Sequence, residues 1–394
     1  MRNLGAQVSA VVAMNLRSLP SRASISLVTL IAVAVVVTVL LSFLAMANGF
    51  RSTVAGTGAK DVAIVLREGS EAELNSTLSR EQANLLADLP GVKRGPDGPL
   101  ASAELYVVVD GIKRQTGTRA NLPLRGVSLA GVSLRSDVKM VAGRMFNPGT
   151  NEIVVGEGAM REFSGFDLGQ EVHFNRSTWK VVGVFSMNGS VFESELWADV
   201  RSVQSLFNRG SAFQTMRLKL EDPAGIDALR ETVRADPRLQ LEVKTEQDYY
   251  SAQSRRTSDL IMLLGWPLGI AMAFGALAGA LNTMYTSVSM RSREIATLRA
   301  LGFSGIAAFA GTLVESLVLS IAGGVLGALA TWTFFDGISA STLGGSFTQV
   351  VFSFKLTPAL LWQGAVLALV IGFAGGVFPA WQAARTPVST AFRL

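Results

Sequence analysis

The sequence predicts an α-helical membrane protein with four transmembrane helices plus an extracytoplasmic α+β domain, of split β-α-β form, carrying a β-rich insert. Three observations predict it. Four stretches are apolar over the roughly 20 residues that a helix needs to cross a bilayer. The arginine excess in the segments that flank them falls on one side. The long segment between the first and second stretches alternates strand and helix patterns.

Composition fits this class. Of 394 residues 49% are hydrophobic, and the net charge is +5. The basic balance sits beside the apolar stretches, which points to a membrane surface rather than to nucleic acid. There is no cysteine and one histidine, His173. Thiol chemistry, disulfides and a histidine metal cluster are therefore excluded, and His173 reads as a surface or packing residue in a strand. The outer carboxylates form no pair or triad that suggests catalysis.

Residues 1–22 read as an amphipathic elbow helix on the cytoplasmic face, with Leu4, Val8, Val11, Val12 and Leu16 apolar and Arg17 and Arg22 beside them. The first span, 23–50, is uncharged. Ala45-Met-Ala47 resembles a signal cleavage site behind Arg22, but the apolar run is too long for a signal core, so a retained span is expected.

Arg2, Arg17 and Arg22 precede the first span. Arg291, Arg293 and Arg299 lie between the second and third, and Arg385 and Arg393 follow the fourth. The loop between the third and fourth spans carries only Asp336 and Lys355. The excess of arginine places both termini and the 289–302 connector inside, and residues 51–257 outside.

The outer segment divides by texture. Residues 51–130 and 199–244 read as an α+β domain. Its strands are expected at 61–66 and 105–109, with a helix at 79–88 capped by Ser79 and turns at Pro90-Gly91 and Pro96-Asp-Gly98. A helix at 202–207 and a β-α-β unit (215–220, 226–235, 239–243) complete it. Residues 131–198 read as the β-rich insert, with strands at 152–156, 171–174 and 179–185.

A polar, helix-compatible stalk at 245–258, with Tyr249 and Tyr250, leads into the second span at 259–288. One continuous helix to Met290 would measure about 65 Å, about twice the hydrocarbon thickness, and Pro267 would kink it. The third span is 305–335. An outer loop, 336–357, the fourth span, 358–381, and a cytoplasmic tail, 382–394, follow.

In the connector, Arg291, Arg293, Glu294 and Arg299 alternate with Ile295, Leu298 and Leu301, whose three-residue spacing suggests one face of a short helix. Gly302 stops it. Spacing alone leaves two roles open, a basic topological anchor or a handle for a cytoplasmic partner. Gly275 with Gly279, Gly323 with Gly327 and Gly372 with Gly376 are small-xxx-small pairs, expected at packing seams. Glu315 stands roughly 15 Å into the third span. With no other charged residue in the spans away from their ends, a buried contact to Ser, Thr, Asn or backbone is expected rather than a proton relay.

Arg293-Glu-Ile-Ala-Thr-Leu-Arg-Ala-Leu-Gly302 resembles the signature of FtsX-like ABC transporter permeases, the MacB group in particular. The resemblance continues through Glu315, Ser320, Gly323-Gly324-Val-Leu-Gly327, Phe378-Pro-Ala380 and Ala384-Arg-Thr-Pro387, and includes Asn15-Leu-Arg-Ser18. The layout of one span, a large outer domain and three further spans is similar over the whole chain.

The resemblance implies a homodimeric permease in the bacterial inner membrane, each copy bound to one cytoplasmic ATPase through a coupling helix that falls on Arg291, Arg293, Glu294, Ile295, Leu298, Arg299, Leu301 and Gly302. No G-x-x-x-x-G-K-S/T loop occurs in the 394 residues. ATP and Mg are thus expected on a separate ATPase chain, with no cofactor, catalytic residue or metal here. Within this class, an exporter would pair with a periplasmic adaptor and an outer-membrane channel, an extractor would take lipoproteins, and a regulator would act on cell-wall hydrolases. A membrane-anchored sensor or scaffold without an ATPase is the alternative of a different class. No nucleic-acid partner is expected.

Overall fold

The computed structural model describes residues 4–96, 98–343 and 348–389. Arg2, Asp97 and Arg393, and with them the outermost ends of the elbow and the tail, lie outside the described residues. Helix α1 (Leu4–Arg17) and a 3-10 turn at Pro20–Arg22 precede α2 (Ala23–Ala55). Then come β1 (Val62–Arg67), α3 (Arg80–Ala87), β2 (Arg94–Gly95), β3 (Gly98–Pro99), β4 (Ala101–Lys113) and β5 (Arg119–Val127). The insert region holds α4 (Leu129–Ser133), β6 (Lys139–Gly143), β7 (Glu152–Gly156), α5 (Glu157–Glu162), β8 (Phe163–Ser164), β9 (Glu171–Phe174), β10 (Ser177–Ser186) and β11 (Leu196–Asp199). After it follow α6 (Val200–Leu206), β12 (Thr215–Lys219), α7 (Ile226–Ala235), β13 (Leu241–Thr245) and α8 (Glu246–Met290). The chain closes with α9 (Ser292–Ala300), α10 (Gly305–Phe334), β14 (Ser339–Leu343), β15 (Gln349–Ser353) and α11 (Pro358–Arg385).

The chain divides into two compact units. Unit one holds residues 1–48, 260–338 and 354–394; unit two holds 49–259 and 339–353. Among the described residues four helices, α2, α8, α10 and α11, are long and apolar enough to cross a membrane.

In unit one the helices meet through small residues, because lipid offers no hydrophobic drive and close backbone approach must supply the packing. A Cβ on Gly323 would lie 2.7 Å from the Leu30 carbonyl oxygen, and one on Gly327 2.6 Å from that of Ala34, so this pair faces α2. Gly372 and Gly376 face Ser320 and Ser316 of α10, each at 2.7 Å. Gly275 and Gly279 have no neighbour within 4 Å. The close-approach glycines of α8 are instead Gly265, against Phe43, and Gly269, against Leu40. Helical phase explains the difference. The buried stripe of α8 runs through Ile261, Gly265, Gly269, Ala276 and Ala280, and residues 275 and 279 fall off it.

Unit two is built on one 11-stranded sheet in the order β13-β1-β12-β4-β5-β11-β7-β10-β6, with β8 on β4 and β9 on β10. β12 and β13 both run antiparallel to β1, with α7 between them in sequence, which is the split β-α-β arrangement. β1, Val-Ala-Ile-Val-Leu-Arg, is buried on both faces up to Leu66. Its neighbours alternate. Met216 and Leu218 face a core with Leu86 of α3 and Leu229 and Val233 of α7, while Arg217 points to the opposite face. Ser79 caps α3 and closes a capping box with Gln82.

The β-rich insert is not a separate sheet. β4 pairs with β12 through residues 101–104 and with β5 through 105–112, so a single 13-residue strand belongs to both halves. β5 precedes residue 131 yet pairs in parallel with β11, and the insert also contains the helix α5. Asn121, Pro123 and Gly126 conceal β5 as a strand in the sequence. The expected outer loop at 336–357 carries the β14–β15 hairpin, which belongs to unit two. Ser194 accepts from the Val351 N–H at 2.9 Å, Tyr106 and Thr348 share a 3.0 Å hydrogen bond, and Phe352 meets Phe50 edge-on at 5.5 Å.

Candidate functional site

α8 ends at Met290, where Arg291 leaves the helical region with ψ near zero (φ −101, ψ 7) and turns the chain into α9. The end of α9 is a Schellman motif. The Phe303 N–H donates to the Leu298 carbonyl and the Gly302 N–H to that of Arg299, with Gly302 at φ +92. Only glycine takes that conformation freely. Ser304 then caps α10 by accepting from the Ala307 N–H. The connector is thus a rigid nine-residue helix with both ends fixed.

The connector residues divide between two faces. Arg291 and Ile295 turn inward; Ile295 packs with Val288, Ala308 and Ala383. Arg293 and Glu294 are exposed, Leu298 and Arg299 are half-buried, and Leu301 is 64% exposed. Residues three apart in a helix are displaced by about 60°, so Ile295, Leu298 and Leu301 fan apart instead of forming one apolar face. Arg299 donates to the Thr386 carbonyl at 2.5 Å, which holds α9 to the end of α11.

The expectation that Arg291 faces a cytoplasmic partner with Arg293 and Arg299 is corrected. Arg291 donates to Glu315 at 3.1 Å, to Glu294 at 3.3 Å and, by a short contact, to the Asn15 side-chain oxygen. Glu315 is 2% exposed. It also accepts from Arg22 at 3.3 Å and from the Ser287 hydroxyl at 3.4 Å. Arg22 donates further to Ser287 and Ser18, each at 2.6 Å.

Of the neutral contacts expected for Glu315 the Ser287 hydroxyl is present, but two arginines, which were not expected, join it. The spans contain no cation, but the chain just before α2 and just after α8 lends one each. A carboxylate in the bundle is tolerable only when paired in this way. The cluster joins α1, the Pro20–Arg22 turn, the end of α8, the head of the connector and α10.

Unit two holds a second ionic array that the sequence did not disclose. Arg125 of β5 donates to Glu195 (2.7 Å), Glu73 (2.6 Å) and Glu104 (3.0 Å). Arg217 of β12 binds Glu73 (2.9 Å), Glu104 and Glu246 (2.8 Å). Arg135 holds Glu104 at 2.8 Å. Three guanidiniums thus face four carboxylates, all buried.

Burial pushes the Glu73 carboxyl up, but Arg125 and Arg217 prevail and hold it at about 2. Glu104, opposed by burial in the same way, is held well below the usual carboxylate range by Arg135, Arg217 and Arg125. Burial raises the phenols of Tyr249 and Tyr250. Tyr249 accepts from the Glu73 N–H and Tyr250 contacts both Arg217 and Glu73, so the first turn of α8 is bound into the array. The available signal was alternation. Glu104, Arg125 and Arg217 each interrupt an apolar strand on the face opposite its core residues.

Residues 26–236 match the family model of the MacB-like periplasmic core domain, and residues 267–388 match that of the FtsX-like permease C-terminal. The chain is 25% identical to the macrolide export ATP-binding/permease protein MacB of Azoarcus sp. (strain BH72) over 400 aligned residues, covering 94% of this chain and 57% of that protein. It is 26% identical to the MacB of Pasteurella multocida (strain Pm70), over 73% of this chain and 45% of the relative. It is 24% identical to the uncharacterized ABC transporter permease YknZ of Bacillus subtilis (strain 168), over 57% of each. The chain spans about half the length of the curated relatives it matches. The solved periplasmic region of MacB from Actinobacillus actinomycetemcomitans aligns with a TM-score of 0.36 at 15% identity, covering 48% of this chain and 90% of that one.

Proposed function

The chain belongs to the MacB-like, FtsX-like family of ABC transporter permeases, and from that premise we propose that it is the membrane subunit of an ATP-driven mechanotransmission complex. ATP is bound with Mg and hydrolysed by a separate ATPase chain. α9 receives the ATPase through its exposed residues, Arg293, Glu294 and Leu301, with the flank of Leu298 and Arg299. Two copies of the chain assemble in the bacterial inner membrane. A periplasmic adaptor and an outer-membrane channel complete the route if the substrate is exported.

The observation that supports this most directly is the seating of α9. A short helix that only marked topology would need no fixed ends. This one is pinned by Arg291 to Glu315 and Asn15 and by Arg299 to Thr386. A displacement at α9 is therefore delivered to α1, α10 and α11 together, because packed elements move as bodies rather than deforming continuously. Substrate translocation between the spans is disfavoured, since the only buried charged cluster among their described residues is already paired.

The test is reconstitution with a co-expressed ABC ATPase. Arg293→Glu with Leu301→Asp changes only exposed positions and should leave the thermal melt unchanged, while the ATPase no longer co-purifies or loses its stimulation by the permease. Undiminished stimulation in that variant, or no ATPase retained by the unaltered protein, would overturn the reading.

A further inference from the structure

Unit two carries a groove that mechanical transmission does not use. Its volume is about 630 Å³, within the range of small-molecule sites. α3 and α6 form its walls. Ala101 and Ala103 of β4, Met216 of β12 and Phe213 form its apolar floor, and Arg80 and Arg201 stand in its lining.

The two arginines are exposed, and among the described residues no hydrogen bond or ion pair engages either guanidinium. The other charged lining group, Asp199, is buried and is occupied in capping α6 through the Ser202 N–H. The groove therefore offers two free cations above hydrocarbon. Besides Gln204, its remaining polar side chains are two, the exposed Asn84 and Ser128, whose hydroxyl accepts from the Gly131 N–H. The Gln204 amide is engaged by the Ala212 carbonyl at 2.9 Å, and the β4 and β12 backbones are engaged by each other. A peptide laid on this floor would bring main-chain N–H and C=O groups that find too few partners, at a desolvation cost. A ligand with one anionic head and an otherwise apolar body meets no such cost.

We propose that this groove binds a single-chain amphiphile with an anionic head, a carboxylate or a phosphate monoester, held by Arg80 and Arg201 with its tail over Phe213 and Met216. The proposal deepens the transport reading by naming a substrate class, and rests on that reading only for the word substrate. The binding itself needs neither ATPase nor nucleotide.

The experiment uses the full chain in phosphatidylcholine nanodiscs without nucleotide, labelled by a photoreactive diazirine analogue of palmitate and mapped by peptide mass spectrometry. Label is expected on peptides covering 80–87 and 200–216. It should fall about tenfold or more in Arg80→Glu/Arg201→Glu, the change that loss of one good ionic contact produces, and persist in Arg80→Lys/Arg201→Lys, which separates charge from folding. Leu129→Trp, at the 44% exposed Leu129 of the lining, should also reduce it. Competition by unlabelled palmitate against a lysophosphatidic acid decides which head is preferred. Equal labelling by the uncharged alcohol analogue, unchanged labelling in the Glu variant, or loss in the Lys variant would each sink the proposal. Loss of ATPase stimulation with labelling intact would count against the transport reading alone.

Discussion

Arg291 and Glu315 face each other at 3.1 Å with side chains 7% and 3% exposed, one at the turn into the connector helix and the other inside the third membrane helix. This pair makes a topological arginine into an internal fastening. Removing one member of a buried pair leaves an uncompensated charge and costs about 3–5 kcal/mol. Glu315→Leu strands two guanidiniums, Arg22 and Arg291. It should lower stability by about 3 kcal/mol in thermal unfolding followed by helical circular dichroism. Arg291→Leu/Glu315→Leu should recover part of that loss, and a double-mutant cycle measures how much.

Arg217 holds three carboxylates of the outer array. Arg217→Met should therefore cost about 3–5 kcal/mol and loosen the first turn of α8, seen as faster amide exchange around Tyr249 and Tyr250. The array also sets a pH dependence. Glu73 folds with its carboxyl held at about 2, below the ordinary 4.5. A depressed carboxyl contributes stability that is fully present above the ordinary value and is lost as pH falls through the folded one. The melting temperature of the outer unit should be flat above about pH 5 and decline from there toward about 2. A decline centred near neutral pH would contradict this.

The glycines separate into two experiments. Gly327→Leu drives a side chain into the Ala34 carbonyl and Val37, and should destabilise by about 1–3 kcal/mol as an overpacked seam. A Cβ on Gly275 meets no atom within 4 Å, and Gly275→Leu should leave the protomer melt unchanged. If the proposed homodimer uses that face, the same variant lowers the yield of cross-linked dimer.

Phe352 is 3% exposed and stands edge-on to Phe50. Phe352→Ala should cost about 3–5 kcal/mol, the usual range for a buried phenylalanine. The loss should appear in the unfolding of unit two, because the hairpin belongs to it.

The sequence disclosed what repeats over many residues and hid what depends on phase or distant partners. Long apolar runs reveal α2, α8, α10 and α11, and the switch from period two to 3.6 reveals β12 and α7 almost to the residue and β13 to within two. Helical phase was harder. Gly265 and Gly269 carry the same spacing as Gly275 and Gly279, and which pair packs depends on where α2 lies. Arg291 shares its charge with Arg293, yet one is buried and one exposed, and only Glu315, 24 positions on, decides which. Arg125 and Arg217 were illegible for the same reason: their partners come from four separate segments. β5 was hidden by Pro123, and β14 and β15 by the Gly, Ser and Thr residues that fill the loop at 336–357.

The hairpin between α10 and α11 has an engineering consequence. The chain passes between the two units four times, at 48/49, 259/260, 338/339 and 353/354. The outer unit is therefore not a cassette. A gene fragment ending at residue 259 would omit the two strands that bond Ser194 and Tyr106 and cover Phe50, and would present that apolar site bare to water. Transplanting the outer unit between relatives requires two splices, the second one small, and a chimera made with the first alone should be soluble only in proportion to how well its new host supplies a substitute hairpin.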